Sequence, residues 1–290
     1  DLYFIILARV FNRKVFVHLK GGNYKNFYWS QGRVFRKLIE MVLMKADRIL
    51  VLGKGLKSMF DFHDGLFEKI YVVENGLPFE SPGIYRKSLS EKRRSPFRVL
   101  YLSNMIDSKG YMDVLKAIKI LKDRGFDVEA DFAGKFIRHV DDEYCISETE
   151  AETKFKKYIE DNGLDRRVLY HGVVDGTSKS ELLEGANVLC LPTNYDNEGQ
   201  PVSIIEALAF GLPIISTKYR AIPDMVKQNV TGFYVGFRRP EEIADKVQIL
   251  MSDRCLYEEM SHNALDLFNS KFTKEAHLKR INRHILDAIE

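Results

Sequence analysis

One helix, with both its start and its stop signal, lies in the stretch Glu198-Gly199-Gln200-Pro201-Val202-Ser203-Ile204-Ile205-Glu206-Ala207-Leu208-Ala209-Phe210-Gly211-Leu212-Pro213. Pro201 suits the first helical position, because a helix leaves that N–H unused and the proline ring sets a helical φ. Gly211 ends the helix, and Pro213 prevents it from continuing. Strands are predicted on both sides, at 188–191 and 213–216, so the stretch predicts a strand–helix–strand unit whose helix begins at about Pro201.

Outward from this unit, short β-branched runs alternate with segments of helical period, which is typical of parallel sheets covered by helices. The second part of the chain carries a full set of predicted strands: 97–102, 128–133, 168–171, 188–191, 213–216 and 232–235. The first part carries fewer: 14–19, 48–52 and 69–73. Since a doubly wound domain usually has about five strands or more, the first part is predicted to be the second half of a domain.

Domain boundaries follow from composition. Residues 81–96 are rich in Ser, Pro, Gly, Lys and Arg and poor in large apolar side chains, as in a linker. The sequence therefore predicts a partial first domain at 1–80, a linker at 81–96 and a second domain at 97–270. A last helix is predicted within 271–290.

Charge excludes some classes of partner. The formal net charge is only +3, which is far from the clustered basic stripe of a nucleic-acid-binding protein. Four basic residues lie close together, and they leave open a weak peripheral contact with an anionic membrane surface: Lys45, Arg48, Lys54 and Lys57. Solvated helix faces are the simpler interpretation of this patch.

The cysteines Cys145, Cys190 and Cys255 are far apart and lack the paired spacings of zinc or redox sites. The most apolar stretch, 2–11, is broken by Arg9 and is too short to cross a membrane. A cytoplasmic location is therefore expected, with any peripheral contact at the inner membrane face. The chain begins with Asp1, so a targeting segment can be missing from it.

Residues at the start of the predicted helix have the chemistry of an anion site. The amides of Val202 and Ser203 would point out of the positive helix end, where a phosphate binds without a metal. A carboxylate would repel that phosphate, so Glu198 and Glu206 are better suited to accept hydrogen bonds from sugar hydroxyls. The alternative is that neither glutamate binds a ligand. Glu198 would then be an ordinary acidic residue of the loop, and Glu206 a buried helix residue whose carboxylate is satisfied by backbone groups.

Lys109 is predicted to lie at the start of the first helix of the second domain, just before Gly110. A cation there is slightly unfavourable unless an anion is near, because it faces the positive end of the helix. Lys109 is therefore interpreted as a ligand of the same anion, able to stabilise a leaving diphosphate. A solvated lysine at a helix start is the alternative.

Glu198 and Glu206 have the spacing of the E-x7-E motif of the retaining family-4 glycosyltransferases, also called glycosyl transferases group 1. Residues 206–213 resemble the continuation of that motif, and the similarity extends from the His18 strand through Glu74-Asn75-Gly76 to the last helix. The resemblance implies a GT-B fold, in which two Rossmann-like domains face a cleft. It implies that the first domain is incomplete, that about three further strands precede residue 1, and that the last helix packs back on the first domain.

The resemblance also implies roles for residues of the second domain. Glu198, with the backbone of Gly199, Gln200 and Pro201, would face the donor sugar, Glu206 the ribose, and Lys109 the phosphates. The family pattern places Arg six residues before this lysine, where this chain has Ser103. Either the serine suffices, or Lys179 or Arg220 supplies the missing cation.

Two further positions resemble family contacts. Val174, in the turn His171-Gly172-Val173-Val174-Asp175-Gly176, resembles the position whose backbone meets the nucleobase, with Lys179 nearby. His18 matches a histidine that reaches across the cleft to the donor sugar, although a strand-end histidine is more often structural. Lys20 and the glycines after it are expected to shape the acceptor side.

The resemblance implies an enzyme that moves a hexosyl or N-acetylhexosaminyl group from a UDP- or GDP-sugar to a glycan or lipid-linked acceptor. The family implies retention of configuration, and cell-surface polysaccharide or glycolipid synthesis is expected. The nucleotide sugar is a substrate, and no cofactor or metal is expected. The charge balance predicts no nucleic-acid partner.

Competing interpretations have weaker support. A glycoside hydrolase also uses two carboxylates but needs neither a phosphate-binding helix start nor Lys109. A nucleotide-dependent oxidoreductase would need a G-x-G-x-x-G turn that the glycine pairs do not form. A nucleotide-sugar epimerase of the same fold, and a donor-binding fragment without catalysis, remain as alternatives.

Overall fold

The computed structural model describes residues 2–79, 96–138 and 147–289. The predicted linker at 81–96 lies outside these residues except for Pro96, and so does Cys145. Within the described part, the chain forms two parallel sheets of three and six strands. The predicted α/β class with two Rossmann-like domains is confirmed.

The N-terminal sheet has the order β1-β2-β3, and neighbouring strands pair in parallel. Its strands are short: β1 (Phe16–Leu19), β2 (Arg48–Val51) and β3 (Ile70–Val72). Four helices accompany them: α1 (Leu2–Val10), α2 (Tyr24–Ser30), α3 (Arg33–Leu43) and α4 (Asp64–Phe67). Helix α2 was not predicted, and a 3-10 segment, Lys54–Phe60, follows β2.

The C-terminal sheet has the order β6-β5-β4-β7-β8-β9, and all neighbours are parallel. Its strands are β4 (Phe97–Leu102), β5 (Val128–Ala133), β6 (Val168–Tyr170), β7 (Val188–Leu191), β8 (Ile214–Ser216) and β9 (Gly232–Tyr234). The connections run outward in opposite directions from β4 and β7. A crevice for ligands is expected outside the carboxyl ends of these two strands, where the order reverses.

Seven helices of the described residues follow β4: α5 (Tyr111–Asp123), α6 (Glu148–Asp161), α7 (Gly176–Gly185), α8 (Val202–Ala209), α9 (Pro240–Ser252), α10 (Arg254–Lys271) and α11 (Lys274–Ile289). Helix α8 begins one residue later than predicted. Pro201 precedes it as the capping residue, with φ −57° and ψ 114°. The ring sets a helical φ but leaves ψ free, and here ψ is extended.

Helix α11 packs back on the N-terminal domain, as the resemblance implied. Arg48 Nη1 of β2 lies 2.6 Å from Nδ1 of His284, whose ring contacts Tyr71 of β3. At the start of the crossover, the Leu77 amide donates to the Phe272 carbonyl at 2.9 Å. The last helix therefore ties the end of the C-terminal domain to the first sheet.

Candidate functional site

A cleft of about 580 Å³ lies outside the carboxyl ends of β4 and β7 and receives residues from both domains. All of the predicted site residues except His18 line it. These are Ser103, Lys109, Val174, Lys179, Glu198, Gly199, Gln200, Pro201, Val202, Ser203 and Glu206. The strand order therefore brings together residues that are up to about a hundred positions apart in sequence.

Lys109 is held on a 3-10 turn, Asp107–Lys109, between β4 and α5. Gly110 follows with φ 77°, and a Cβ there would lie 2.8 Å from the carbonyl oxygen of Pro192, after β7. Glycine is needed here for two reasons: the positive φ disfavours other residues, and the close approach of Pro192 leaves no room for a Cβ. It places the lysine against the loop that follows β7.

The ammonium group of Lys109 joins two other predicted site residues. Its Nζ lies 3.3 Å from Glu198 Oε2 and 3.2 Å from Ser103 Oγ, to which it donates a hydrogen bond. The side chains of Lys109 and Glu198 are only 14% and 7% exposed. Such a partly desolvated cation stabilises nearby negative charge more strongly than a lysine in water does.

Ser103 occupies the place where the family pattern has Arg, and its hydroxyl orients Lys109. Neither proposed substitute is a free cation at this point. Lys179 lines the cleft but lies 2.6 Å from Glu206 Oε1, and Arg220 is not among the residues that line the cleft. Lys109 is therefore the cation that faces Glu198, and Lys179 serves a different carboxylate.

Glu198 is positioned by a residue that the sequence analysis missed. The hydroxyl of Thr193, two residues after the end of β7, donates to Glu198 Oε2 at 3.2 Å. The Glu198 amide also donates to the Tyr195 carbonyl, at 2.8 Å. Oε2 of Glu198 thus accepts a hydrogen bond from Thr193 and also forms the ion pair with Lys109. A threonine five residues before the motif carried no periodic or spacing signal of its own.

Helix α8 points its N-terminus at the cleft. The Ile204 amide donates to the Pro201 carbonyl at 3.2 Å, so the amides of Val202 and Ser203 precede the first bond of the helix. These two residues line the cleft, and Val202 is 46% exposed. The geometry fits the anion site expected at this helix start.

Glu206 is buried inside α8, with 8% of its side chain exposed, and its partner is Lys179 of α7. The ammonium group of Lys179 lies 2.6 Å from Oε1, so backbone groups are not the only partners of this glutamate. Buried carboxylates are normally paired in this way. The pair lies at the same cleft as Lys109 and Glu198.

The turn around Val174 is fixed by polar contacts of its neighbours. His171 Nε2 lies 2.7 Å from Oδ1 of the buried Asp131 in β5. The Gly134 amide donates to the Gly172 carbonyl at 2.7 Å. Val173 and Val174 then line the far end of the cleft.

The N-terminal domain closes the cleft with the loop after β1. A Cβ on Gly22 would lie 1.9 Å from the Glu198 carbonyl oxygen, and a Cβ on Gly199 would lie 2.4 Å from that of Lys20. The Gly22 amide donates to Asn197 O at 3.2 Å. The two backbones therefore touch directly. Burial lowers the pKa of Lys20, which lines the cleft with Asn75.

His18 does not line this cleft. It lies in β1 beside a second, largely apolar cavity of about 870 Å³, and its Nε2 is buried without a hydrogen-bond partner among the described residues. Burial, and then the charges of Lys20 and His277, lower the pKa of His18 to about 4, against a weaker raising contribution from a backbone hydrogen bond with Val73. The imidazole is therefore neutral near pH 7. Its reach to a donor sugar stays a prediction.

In the described segments, no cluster of three or more His, Cys, Asp or Glu side chains is suited to hold a metal ion. Within the same segments, no helix is long and apolar enough to cross a membrane.

The family model of glycosyl transferases group 1 matches residues 86–266, and the chain belongs to this family. Staphylococcus aureus CapM, a capsular polysaccharide biosynthesis glycosyltransferase, is 28% identical over 239 residues, which are 82% of this chain and 55% of CapM. The amylovoran biosynthesis glycosyltransferase AmsK of Erwinia amylovora is 29% identical over 171 residues, 57% of this chain and 38% of AmsK. The chain thus spans about half or less of these relatives.

A solved structure with the same fold is HepE of Anabaena in complex with UDP. Its TM-score to this chain is 0.80 at 17% sequence identity, and the match covers 99% of this chain and 76% of HepE. At this identity the likeness concerns the fold alone.

Proposed function

We propose that this chain provides the donor site and part of the acceptor side of a retaining glycosyltransferase that uses a nucleoside diphosphate sugar. The observation that carries the proposal is the position of Lys109. Its ammonium group lies between Ser103 and Glu198, at the carboxyl ends of β4 and β7 and beside the N-terminus of α8. A cation and unpaired helix amides suit a diphosphate, and a carboxylate beside them suits a sugar hydroxyl.

In the proposed reaction, the bond between the anomeric carbon and the phosphate oxygen breaks, and its electron pair leaves with the nucleoside diphosphate. Lys109 and the amides of Val202 and Ser203 stabilise the negative charge that develops there. Glu198 orients the sugar. The acceptor oxygen bonds to the anomeric carbon on the face that the diphosphate leaves, and its proton passes to the departing phosphate.

The donor and the pathway are proposed from relatives. A HepE structure was also solved with UDP-glucose, and the names of CapM and AmsK place both in polysaccharide biosynthesis. We therefore propose a UDP-sugar donor and a role in the assembly of a capsular or extracellular polysaccharide. A cytoplasmic location with a peripheral membrane contact stays a prediction from the sequence.

Sugar transfer by the wild-type chain and three variants tests the proposal. UDP-glucose, UDP-N-acetylglucosamine and GDP-mannose are supplied with glycan and lipid-linked acceptors, and the released nucleotide is measured. Lys109→Ala and Glu198→Gln should each lower turnover by about 10²–10³, the usual loss of a group aimed at transition-state charge. Lys119→Ala removes a partly exposed lysine from α5 and should leave turnover within about twofold.

Each other outcome points to a specific alternative. Equal turnover in Lys109→Ala and Lys119→Ala would contradict the assignment of Lys109. Donor binding without release of nucleotide would favour the donor-binding fragment. Conversion of one nucleotide sugar into another, with no acceptor present, would favour the epimerase.

A further inference from the structure

In the side-chain amide of Gln200, the oxygen has a hydrogen-bond partner and the nitrogen has none among the described residues. Its Oε1 accepts a hydrogen bond from the Asn75 amide, at 2.8 Å. Its Nε2 is buried and has no hydrogen-bond partner among residues 2–79, 96–138 and 147–289. Asn75 belongs to the N-terminal domain and Gln200 to the loop before α8. The amide of Gln200 therefore joins the two sides of the cleft.

The Asn75 amide also determines which way the Gln200 side chain points. If the carboxamide were turned by 180°, its NH₂ group would face the N–H of Asn75, and two donors would oppose each other. Asn75 is itself held from the N-terminal side, because Lys20 Nζ donates to its Oδ1 at 3.1 Å. The oxygen of Gln200 is thus fixed towards Asn75, and its NH₂ group is fixed away from it.

A buried donor without an acceptor is rare in native proteins and destabilises the arrangement that contains it. Gln200 lines the cleft beside Glu198 and Pro201 and is 5% exposed as a whole residue. An acceptor for Nε2 is therefore expected from a group that enters the cleft. The diphosphate has Lys109 and the amides of α8, whereas the sugar brings several hydroxyl oxygens that accept hydrogen bonds.

We propose that Gln200 is a specificity-determining residue whose NH₂ group donates to a hydroxyl oxygen of the donor sugar while the Asn75 amide holds its oxygen. This inference rests on the proposed function. It extends that function because it assigns recognition of the sugar to the Gln200 side chain, whose orientation is set by Asn75 of the acceptor-side domain. The sugar then binds well only when Asn75 is in place, so donor recognition depends on the contact between the two domains.

Two variants separate this role from a general effect on the cleft. Gln200→Glu keeps an acceptor for the Asn75 amide and replaces the NH₂ group by oxygen. Gln200→Met removes both polar ends at similar size and adds no charge. Dissociation constants are measured by calorimetry for UDP-glucose, UDP-N-acetylglucosamine and GDP-mannose, and for UDP and GDP as the parent nucleotides.

The quantity to compare is the ratio of nucleotide-sugar affinity to parent-nucleotide affinity. Gln200→Met should lower this ratio by roughly threefold to tenfold, the effect of one hydrogen bond. The added charge of Gln200→Glu repels UDP more strongly than a UDP-sugar, because the terminal phosphate of free UDP carries an additional negative charge. The ratio for Gln200→Glu should therefore fall less than the ratio for Gln200→Met.

A ratio that stays at the wild-type value in both variants would overturn the assignment of Gln200 while leaving the glycosyltransferase proposal intact. A wild-type chain that binds UDP and UDP-sugars equally well would overturn it too, since no sugar contact would exist to lose. A wild-type chain that binds none of the five compounds would overturn the proposed function and this inference with it.

Discussion

The central strands of the six-stranded sheet and the first strand of the three-stranded sheet have very different surroundings. All four residues of β7 are buried, and so are five of the six residues of β4. All four residues of β1 are only partly buried. Helix α1 beside it exposes large apolar side chains, among them Phe4 at 70% and Val10 at 73%.

The proposed binding contacts are distributed unequally between the two domains in the same way. The proposed contacts with the diphosphate, the ribose and the sugar come mainly from loops that leave the buried strands β4 and β7. The N-terminal domain adds Lys20, Gly22 and Asn75 from its side of the cleft. A site on rigid elements is held more precisely than one on a loosely packed edge. The donor side of the cleft, in the C-terminal domain, is therefore expected to be rigid. The conformation of the acceptor side, in the N-terminal domain, is expected to depend on what packs against it.

The largest expected effect is a difference in core stability between the two sheets. Leu189→Ala empties a fully buried position in β7 and should lower the free energy of unfolding by about 3 kcal/mol. Leu19→Ala in β1, at a partly buried position, should cost about 1 kcal/mol, because less apolar area is lost. Urea unfolding followed by circular dichroism measures both. Equal losses would contradict the comparison.

The contact between the domains gives the next effect. Gly22→Ala places a Cβ 1.9 Å from the Glu198 carbonyl oxygen, so the domains must move apart. A displacement of this kind at a catalytic cleft should lower kcat/KM for sugar transfer by about 10²-fold. Gly21→Ala is the matched control, since a Cβ at Gly21 meets nothing within 4 Å. Similar kinetics for the two variants would argue against direct contact of these loops during turnover.

Two ion pairs have the same N–O distance but differ in burial, so they allow the cleft to be compared with the surface. Lys179 and Lys156 each have Nζ 2.6 Å from a glutamate oxygen, in Glu206 and Glu152 respectively. Lys179→Met leaves a buried carboxylate without its partner and should cost about 1–3 kcal/mol of unfolding free energy. Lys156→Met removes a largely exposed pair and should leave the free energy of unfolding unchanged within experimental error, because water screens that pair. Both are measured by urea unfolding at pH 7, and the reverse order would contradict the role of burial.

The last prediction concerns pH and the N-terminal sheet. His18 has its pKa lowered to about 4 in the folded chain, chiefly by burial, whereas an unfolded histidine has a pKa near 6.5. Between these values the unfolded state binds more protons, so stability falls as the pH drops from about 6.5 towards 4. His18→Gln should flatten this dependence in unfolding free energies measured at pH 7 and pH 5. His284 also has a lowered pKa but is present in both proteins. Parallel pH profiles would show that His18 does not contribute.

Local signals determined much of the fold. The strands Phe97–Leu102, Val128–Ala133 and Val188–Leu191 begin and end at the residues that the sequence predicted, because they are short, mostly apolar segments bounded by turns. Gly211, with φ 66°, ends α8 as expected. Pro201 showed the limit of such reasoning, since its ring determines φ but the surrounding chain determines ψ.

The motif also predicted most of the cleft, because its residues lie together on one loop and one helix. Glu198 and Glu206 bracket the start of α8 whatever the rest of the chain does. The sequence alone thus determined the fold class and the family.

Only the tertiary structure decided which polar groups pair at the cleft. Lys109 with Glu198, Lys179 with Glu206, and Asn75 with Gln200, which are 125 residues apart, depend on strand order and on the contact between the domains. His18 lies beside the apolar cavity for the same reason. Pairing of this kind is a long-range property of packing, and neither the hydrophobic period nor the turn signals of a local segment contain it.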